Sequence, residues 1–158
     1  MAKTNAYVSS GFLLLSGANA EGLKHPPVAA TISIKRGDAI HADASGYATN
    51  AVTALTSKFL GIAAADVDNS SGLDAALTVP VIPPVSRNQF IVPVGANAVI
   101  TQAAVGTVVD LEAANTIDIS DVTVASGPGF KIDEIDVSAT AVAINTYGYA
   151  IGHFEYQS

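Results

Sequence analysis

The chain has no cysteine, no tryptophan and one methionine, and its seven basic residues face fourteen acidic ones. Each shortage excludes something. Without cysteine there is no disulfide, no thiolate nucleophile and no cysteine-ligated zinc. A formal net charge of −7 repels phosphate, so nucleic acid is not an expected partner. No run approaches the roughly 18 apolar residues of a membrane helix, so no membrane partner is expected either. What is plentiful is Ala, Val and Ile. Small and β-branched side chains suit a pleated, half-buried surface. At 158 residues the chain makes one domain, or one domain and a tail, with length enough for a core.

Charge is unevenly placed. Residues 1–36 carry Lys3, Lys24, Lys35 and Arg36 against Glu21 alone, whereas residues 105–158 carry eight acids against Lys131 alone. Residues 1–28 read as an extended N-terminal arm that is polar and glycine-containing, with one apolar patch at 12–15 and a stop at Pro26-Pro27. Consecutive prolines force an extended path. The patch is too short for the apolar core of a secretory signal, so the arm reading is preferred. Tyr7, Phe12, Leu13, Leu14 and Leu15 are its anchors.

Residues 29–158 read as a single β-rich domain. Ala30, Ile32 and Ile34 alternate with polar residues, which predicts a half-buried strand. "KRGD" then turns the chain, and "DASG" at 43–46 is a second tight turn. In "KFLGIAAADV" (58–67), Gly61 predicts a bulge or a close backbone approach. Prolines 80, 83, 84 and 93 place their strands at an edge or beside a projecting loop, because proline cannot donate to a ladder. In "TIDISDVTV" (116–124) and "GFKIDEIDV" (129–137) the apolar parity flips midway, which predicts a bulge or corner in each. An aromatic-rich strand ends the chain. No segment sustains a 3.6-residue period, although 49–57 has room for a helical turn. The class is all-β, a small β-barrel or β-sandwich with an extended N-terminal arm.

Chemistry is sparse. His25, His41 and His153 are isolated from one another, with no metal-ligand spacing. There is no GxSxG elbow and no phosphate-binding glycine loop. Arg36-Gly37-Asp38 leads straight into a strand and reads as a turn rather than an adhesion signal. In "DVDNSSGLD", Asp66, Asp68 and Asp74 have partial calcium-loop spacing. However, Ser71 stands where glycine belongs and Leu77 where the bidentate glutamate belongs, so solvated turn acids are preferred. No catalytic residue, metal or cofactor is assigned, and the chain reads as a non-enzyme.

The order of these elements is an arm, "GDAIHADASGYA", "FLGIAAADV", Val-rich strands around "FIVPVG", and a terminal strand. It resembles the head decoration, or cement, proteins of tailed bacteriophages. The resemblance covers the pattern of residues 30–95, and "GTVVDLEAAN" has no counterpart in the smallest members. It implies a structural virion protein, assembled in the host cytoplasm, that sits on the capsid exterior as a homo-trimer and stabilises the shell. Its arm would contact the major capsid protein through Lys3, Tyr7, Phe12, Leu13, Leu14, Leu15 and Lys24. Two other readings stand beside this one. The first is an extracellular carbohydrate- or ligand-binding β-module that uses the Pro-rich loop with Tyr147, Tyr149, Phe154 and Tyr156. The second is another β-rich virion part, such as a tail tube subunit.

Overall fold

The computed structural model describes residues 11–16, 22–95, 99–122, 127–136 and 147–157. Twelve strands among them form antiparallel sheets. The largest sheet has six strands, in the spatial order β1 (Leu13–Ser16), β8 (Gln89–Pro93), β12 (Tyr149–Gln157), β11 (Gly127–Asp136), β9 (Val108–Ala113) and β10 (Thr116–Asp118). A second has four, in the order β4 (Ala48–Thr49), β3 (Ala39–Ala42), β5 (Phe59–Ala63) and β7 (Val81–Ile82). The remaining two, β2 (Ile32–Ile34) and β6 (Val67–Asn69), pair with each other.

Alternation along each strand decides which layer a side chain enters. Phe90, Val92 and Val94 on and after β8, with Ala150 and Phe154 on β12, face the same core as Ala39, Ile62 and Ile82 of the four-stranded sheet. The intervening Ile40, Ala63 and Val81 point the other way, toward Val28 and Ile34. Ile91, Tyr149 and Ile151 form a third cluster on the opposite face of the six-stranded sheet, with Leu13 against it. The four-stranded sheet is therefore apolar on both faces and sits between two cores. A parallel bridge from Val94 to Ile117 curls β10 toward β8, with no ladder beyond it among the described residues. The sheets stack as layers and do not close into a barrel, so the sandwich-like alternative describes the molecule.

Local chemistry accounts for the connections. The Asp43 carboxylate accepts the Ser45 and Tyr47 N–H groups at 2.9 Å each, and Gly46 sits at φ +91°. This is the turn that "DASG" predicts, since Asp caps its own turn and Gly takes the left-handed position. Gly61 combines both expected features. A Cβ there would lie 2.1 Å from the Ile82 carbonyl oxygen, and the β3–β5 register shifts between Ile40 and His41 opposite it. The parity flip in "GFKIDEIDV" is a bulge between Ile132 and Glu134. The flip near Asp121 is a corner, closed by Asp121 N–H donating to the Asp118 carbonyl at 3.1 Å.

Three expectations are corrected. Residues 49–57 bend without forming a helix, and a 3₁₀ turn falls instead at Gln102–Ala104. Of the proline-bearing strands, β7 is an edge but β8 is interior to its sheet. Pro93 is tolerated because it is the last residue of β8. Finally, the described part of 1–28 is built into the body. Leu13 and Leu14 pair with Ile91 and Phe90, and Lys24, Pro27 and Val28 bridge to Val81, Thr78 and Ala48.

Candidate functional site

Lys3 and Tyr7 lie outside the described residues. The other proposed arm contacts separate into different environments. Phe12 is 3% exposed and sits among the rings of Phe154, Phe130 and Phe90, at centroid distances of 5.2, 5.5 and 6.2 Å. Its N–H donates to the Gly37 carbonyl at 2.9 Å. As a capsid contact Phe12 is thus corrected to a core residue. Three aromatic neighbours reward burial of its ring more than an exterior surface would. Leu13 and Leu14 are half-buried against the molecule's own clusters, while Leu15 and Lys24 are exposed. No strand among the described residues pairs with the outer edge of β1.

Gly37 leaves no room beside it. A Cβ on Gly11 would lie 2.6 Å from the Gly37 carbonyl oxygen. Asp38 is buried and accepts from Lys35 N–H at 3.0 Å and from Asn50 Nδ2 at 2.7 Å. Its carboxylate is internal, which suits a turn and leaves nothing for an adhesion receptor to grip.

The acids of "DVDNSSGLD" diverge. Asp66 accepts the Arg36 N–H at 2.7 Å, Asp68 that of Ser70 at 3.0 Å, and Asp74 that of Ala30 at 2.8 Å. The Ser70 hydroxyl and N–H hold the Asp68 carboxyl below its usual pKa. Asn69 is buried at the centre of the loop and donates to the carbonyls of Ala29 and Leu73 at 2.9 and 3.0 Å. The loop is pinned to its own backbone. Among the described residues no group of three or more His, Asp or Glu is placed to hold a metal ion.

The three histidines have different fates. His25 is exposed. His41 is 1% exposed, lies 5.1 Å from the Phe59 ring, and accepts the Thr56 N–H through Nε2 at 3.3 Å. That assigns the proton of the neutral ring to Nδ1, which is buried without a partner. Burial lowers its pKa to about 4. His153 lies on the outer face of the six-stranded sheet, opposite Lys131. Its Nδ1 is 2.8 Å from Asp133 and its Nε2 is 2.8 Å from Glu155. Lys131 Nζ stands 4.0 Å from the same Glu155 oxygen, and Gln89 Nε2 donates to Asp133 at 3.4 Å. Burial alone would lower the His153 pKa. Its hydrogen bonds to Asp133 and Glu155, with their charges, outweigh that and raise it. In the imidazolium form both ring nitrogens donate, one to each carboxylate.

Beside this cluster lies a small open pocket, lined by Thr56, Ser57, Phe59, Pro84, Pro128, Phe154, Glu155 and Tyr156. Asn88 shapes its proline wall, with Nδ2 donating to the Pro83 carbonyl at 2.9 Å. Of the aromatics named from sequence for a ligand site, Phe154 and Tyr156 meet Pro84 here, whereas Tyr149 is buried in a different cluster. Strand parity separates them, since 154 and 156 share a face that 149 does not. Sequence reasoning missed Thr56, Ser57, Phe59 and Pro128, which arrive from two other elements. It also missed the His153 cluster. Its signal was present as charged pairs two residues apart on facing strands, Lys131 with Asp133 and His153 with Glu155.

Comparison with protein-family models, with curated proteins and with solved structures finds no match to this chain.

Proposed function

We propose that this chain is a structural virion protein that binds the outside of an assembled phage capsid and stabilises it as a homo-trimer. The observation that carries this reading is the placement of β1. It lies directly after the leader, at an edge of the six-stranded sheet with no further strand paired to it among the described residues, and exposes Leu15 at 43%. An open edge beside a polar, lysine-bearing leader is suited to strand addition against a neighbouring sheet. Many copies on one lattice would turn modest contacts into a stabilised shell. The acids described above are engaged in turns, pins and bridges, which fits a scaffold better than a reaction centre.

The burial of Phe12 sets the test. Removing residues 1–10 spares the four-ring core, whereas removing 1–25 would take Phe12 with it. The 11–158 chain should fold and fail to co-sediment with empty heads, while the full chain co-sediments. Equal co-sedimentation of both would overturn attachment through the leader. Negative-stain images separate the rival within the virion, since trimers on heads support decoration and stacked rings support a tail tube subunit.

A further inference from the structure

Two exposed apolar features play no part in attachment through the leader, and the first is the loop after β6. Residues 73–78 are exposed throughout, with Leu73 at 80% and Leu77 at 43%. Ala75 and Ala76 continue the stretch between them, so it is more than a lone surface leucine. Its shape is fixed from inside. Asn69 Nδ2 donates to the Leu73 carbonyl at 3.0 Å. The Ala75 N–H donates to the Val28 carbonyl, and the Val28 N–H to the Leu77 carbonyl, at 2.9 Å each. Ala75 at φ +63° and Thr31 at φ +62° are the left-handed non-glycine residues among the described ones, and the Thr31 N–H reaches the Gly72 carbonyl of the same loop at 3.4 Å. Strained backbone persists where its surroundings impose one conformation. A loop held in this way loses little freedom when it docks.

The second feature is the pocket. Phe59, Phe154, Pro84 and Pro128 wall it and Tyr156, 71% exposed, borders it. Exposed aromatic rings are enriched at protein interfaces. Glu155 alternates with Phe154 and Tyr156 along β12, and its carboxylate is held by His153 on the other face of the sheet. The charged residues on the loops that bear the remaining walls, 51–58 and 83–88, are Lys58 and Arg87. Both are exposed, and the Lys58 ammonium rests on the Asp43 carbonyl oxygen at 3.3 Å. Segment 70–78 carries Asp74 alone. An apolar knob with an acid thus matches an apolar recess with a cationic rim. The residues 1–10 of a leader carry Lys3 and no acid, and would bring like charge to that rim. Knob and recess are also well separated. Ile62 pairs with Ile82 and Ala63 with Val81, so Phe59 and Leu77 run off opposite ends of β5 and β7, roughly 25 Å apart at about 3.3 Å per residue. The loop of one molecule is out of reach of its own pocket.

We infer that the pocket receives the Leu73 loop of a second copy of this chain, with Leu73 against Tyr156 and Asp74 at the rim formed by Lys58 and Arg87. The two surfaces are unlike, so the contact joins copies head to tail and closes a ring where the rotation allows. This contact rests on the homo-trimer of the proposed function for its ring size and gives that trimer its interface, and it needs no capsid.

Sedimentation velocity of the full chain without capsids tests it. The chain should run as one closed oligomer. Leu73→Asp and Tyr156→Asp should each run as monomers, with unchanged thermal midpoints because both side chains are exposed. Val122→Asp, an exposed apolar change elsewhere, should leave the mass as it was. Mixed in equal amounts, the two monomeric variants should form a one-to-one dimer that grows no further, since one keeps only a working pocket and the other only a working loop. Monomeric variants that do not combine would overturn the contact. A trimer that both variants preserve, or that Tyr156→Asp alone dissolves, would overturn the contact and leave the trimer standing. A monomeric full chain would overturn both. A ring of another size that both variants dissolve would support the contact and overturn the trimer. Attachment to heads is read separately from the 11–158 chain, so its failure leaves these outcomes unchanged.

Discussion

The two cores that flank the four-stranded sheet are built from different materials. All five phenylalanines of the chain pack in or against the core shared with the six-stranded sheet. The core on the other side holds none and is made of Val, Ile and Ala with Leu60 at its margin. They also differ in reach. The buried residues of the aliphatic core all lie between Val28 and Val81, so it is assembled from one continuous stretch. The aromatic core draws on residues as far apart as Phe12 and Phe154. A core gathered locally can form before the ends of the chain meet, whereas one that joins distant segments carries the larger loop-closure cost.

The sharpest way to break that contrast is Phe12→Ala. It should cost about 3–5 kcal/mol in denaturant unfolding, as for other buried aromatic truncations. Amide protection should fall more at Phe90 and Ile132 than at Ile34 and Ile40. A uniform loss of protection would mean that the two cores open as one unit.

The second test uses His41, at the margin of the aromatic core. Its folded pKa of about 4 lies below the ordinary 6.5, so the unfolded chain binds the extra proton first. The stability this ring allows is complete above pH 6.5 and is lost as pH falls toward 4, by up to about 3 kcal/mol. His41→Phe should flatten that part of the stability–pH curve, read from urea midpoints across the range.

Asn69→Ala probes the aliphatic side. It strips the carbonyls of Ala29 and Leu73 of their donor and should cost about 2 kcal/mol. Protection should fall most around β2 and β6.

The smallest effect belongs to His153, which neither core contains. Its raised pKa means its bridge is intact below pH 6.5 and weakens as pH rises through the folded value. Because the bridge is partly solvated, His153→Gln should change stability by no more than about 1 kcal/mol. The loss should appear on the acid side of that range and vanish above it.

Much of the fold was legible in the sequence because its signals are local. The Asp43–Gly46 turn, the bulge after Ile132 and the close approach at Gly61 each follow from a few adjacent residues. The layering was less legible. A strand such as β5, buried on both faces, shows no clean alternation, and nothing in "FLGIA" says which neighbour covers each side. Phe12 was misassigned for a related reason. A lone ring in a polar, glycine-containing segment looks like a projecting anchor until the three rings that receive it are brought together from Phe90, Phe130 and Phe154. The pocket was half-read. Pro84, Phe154 and Tyr156 were visible as a loop and a strand, but Thr56, Phe59 and Pro128 join them only through tertiary packing.

The seating of Phe12 also has a mechanical consequence. If the leader is tethered to a shell, tension on it reaches the seated Phe12 ring before it reaches β1. The ring would have to leave Phe90, Phe130 and Phe154 before the β1–β8 pairs carry load, so the aromatic core is the first element to resist withdrawal.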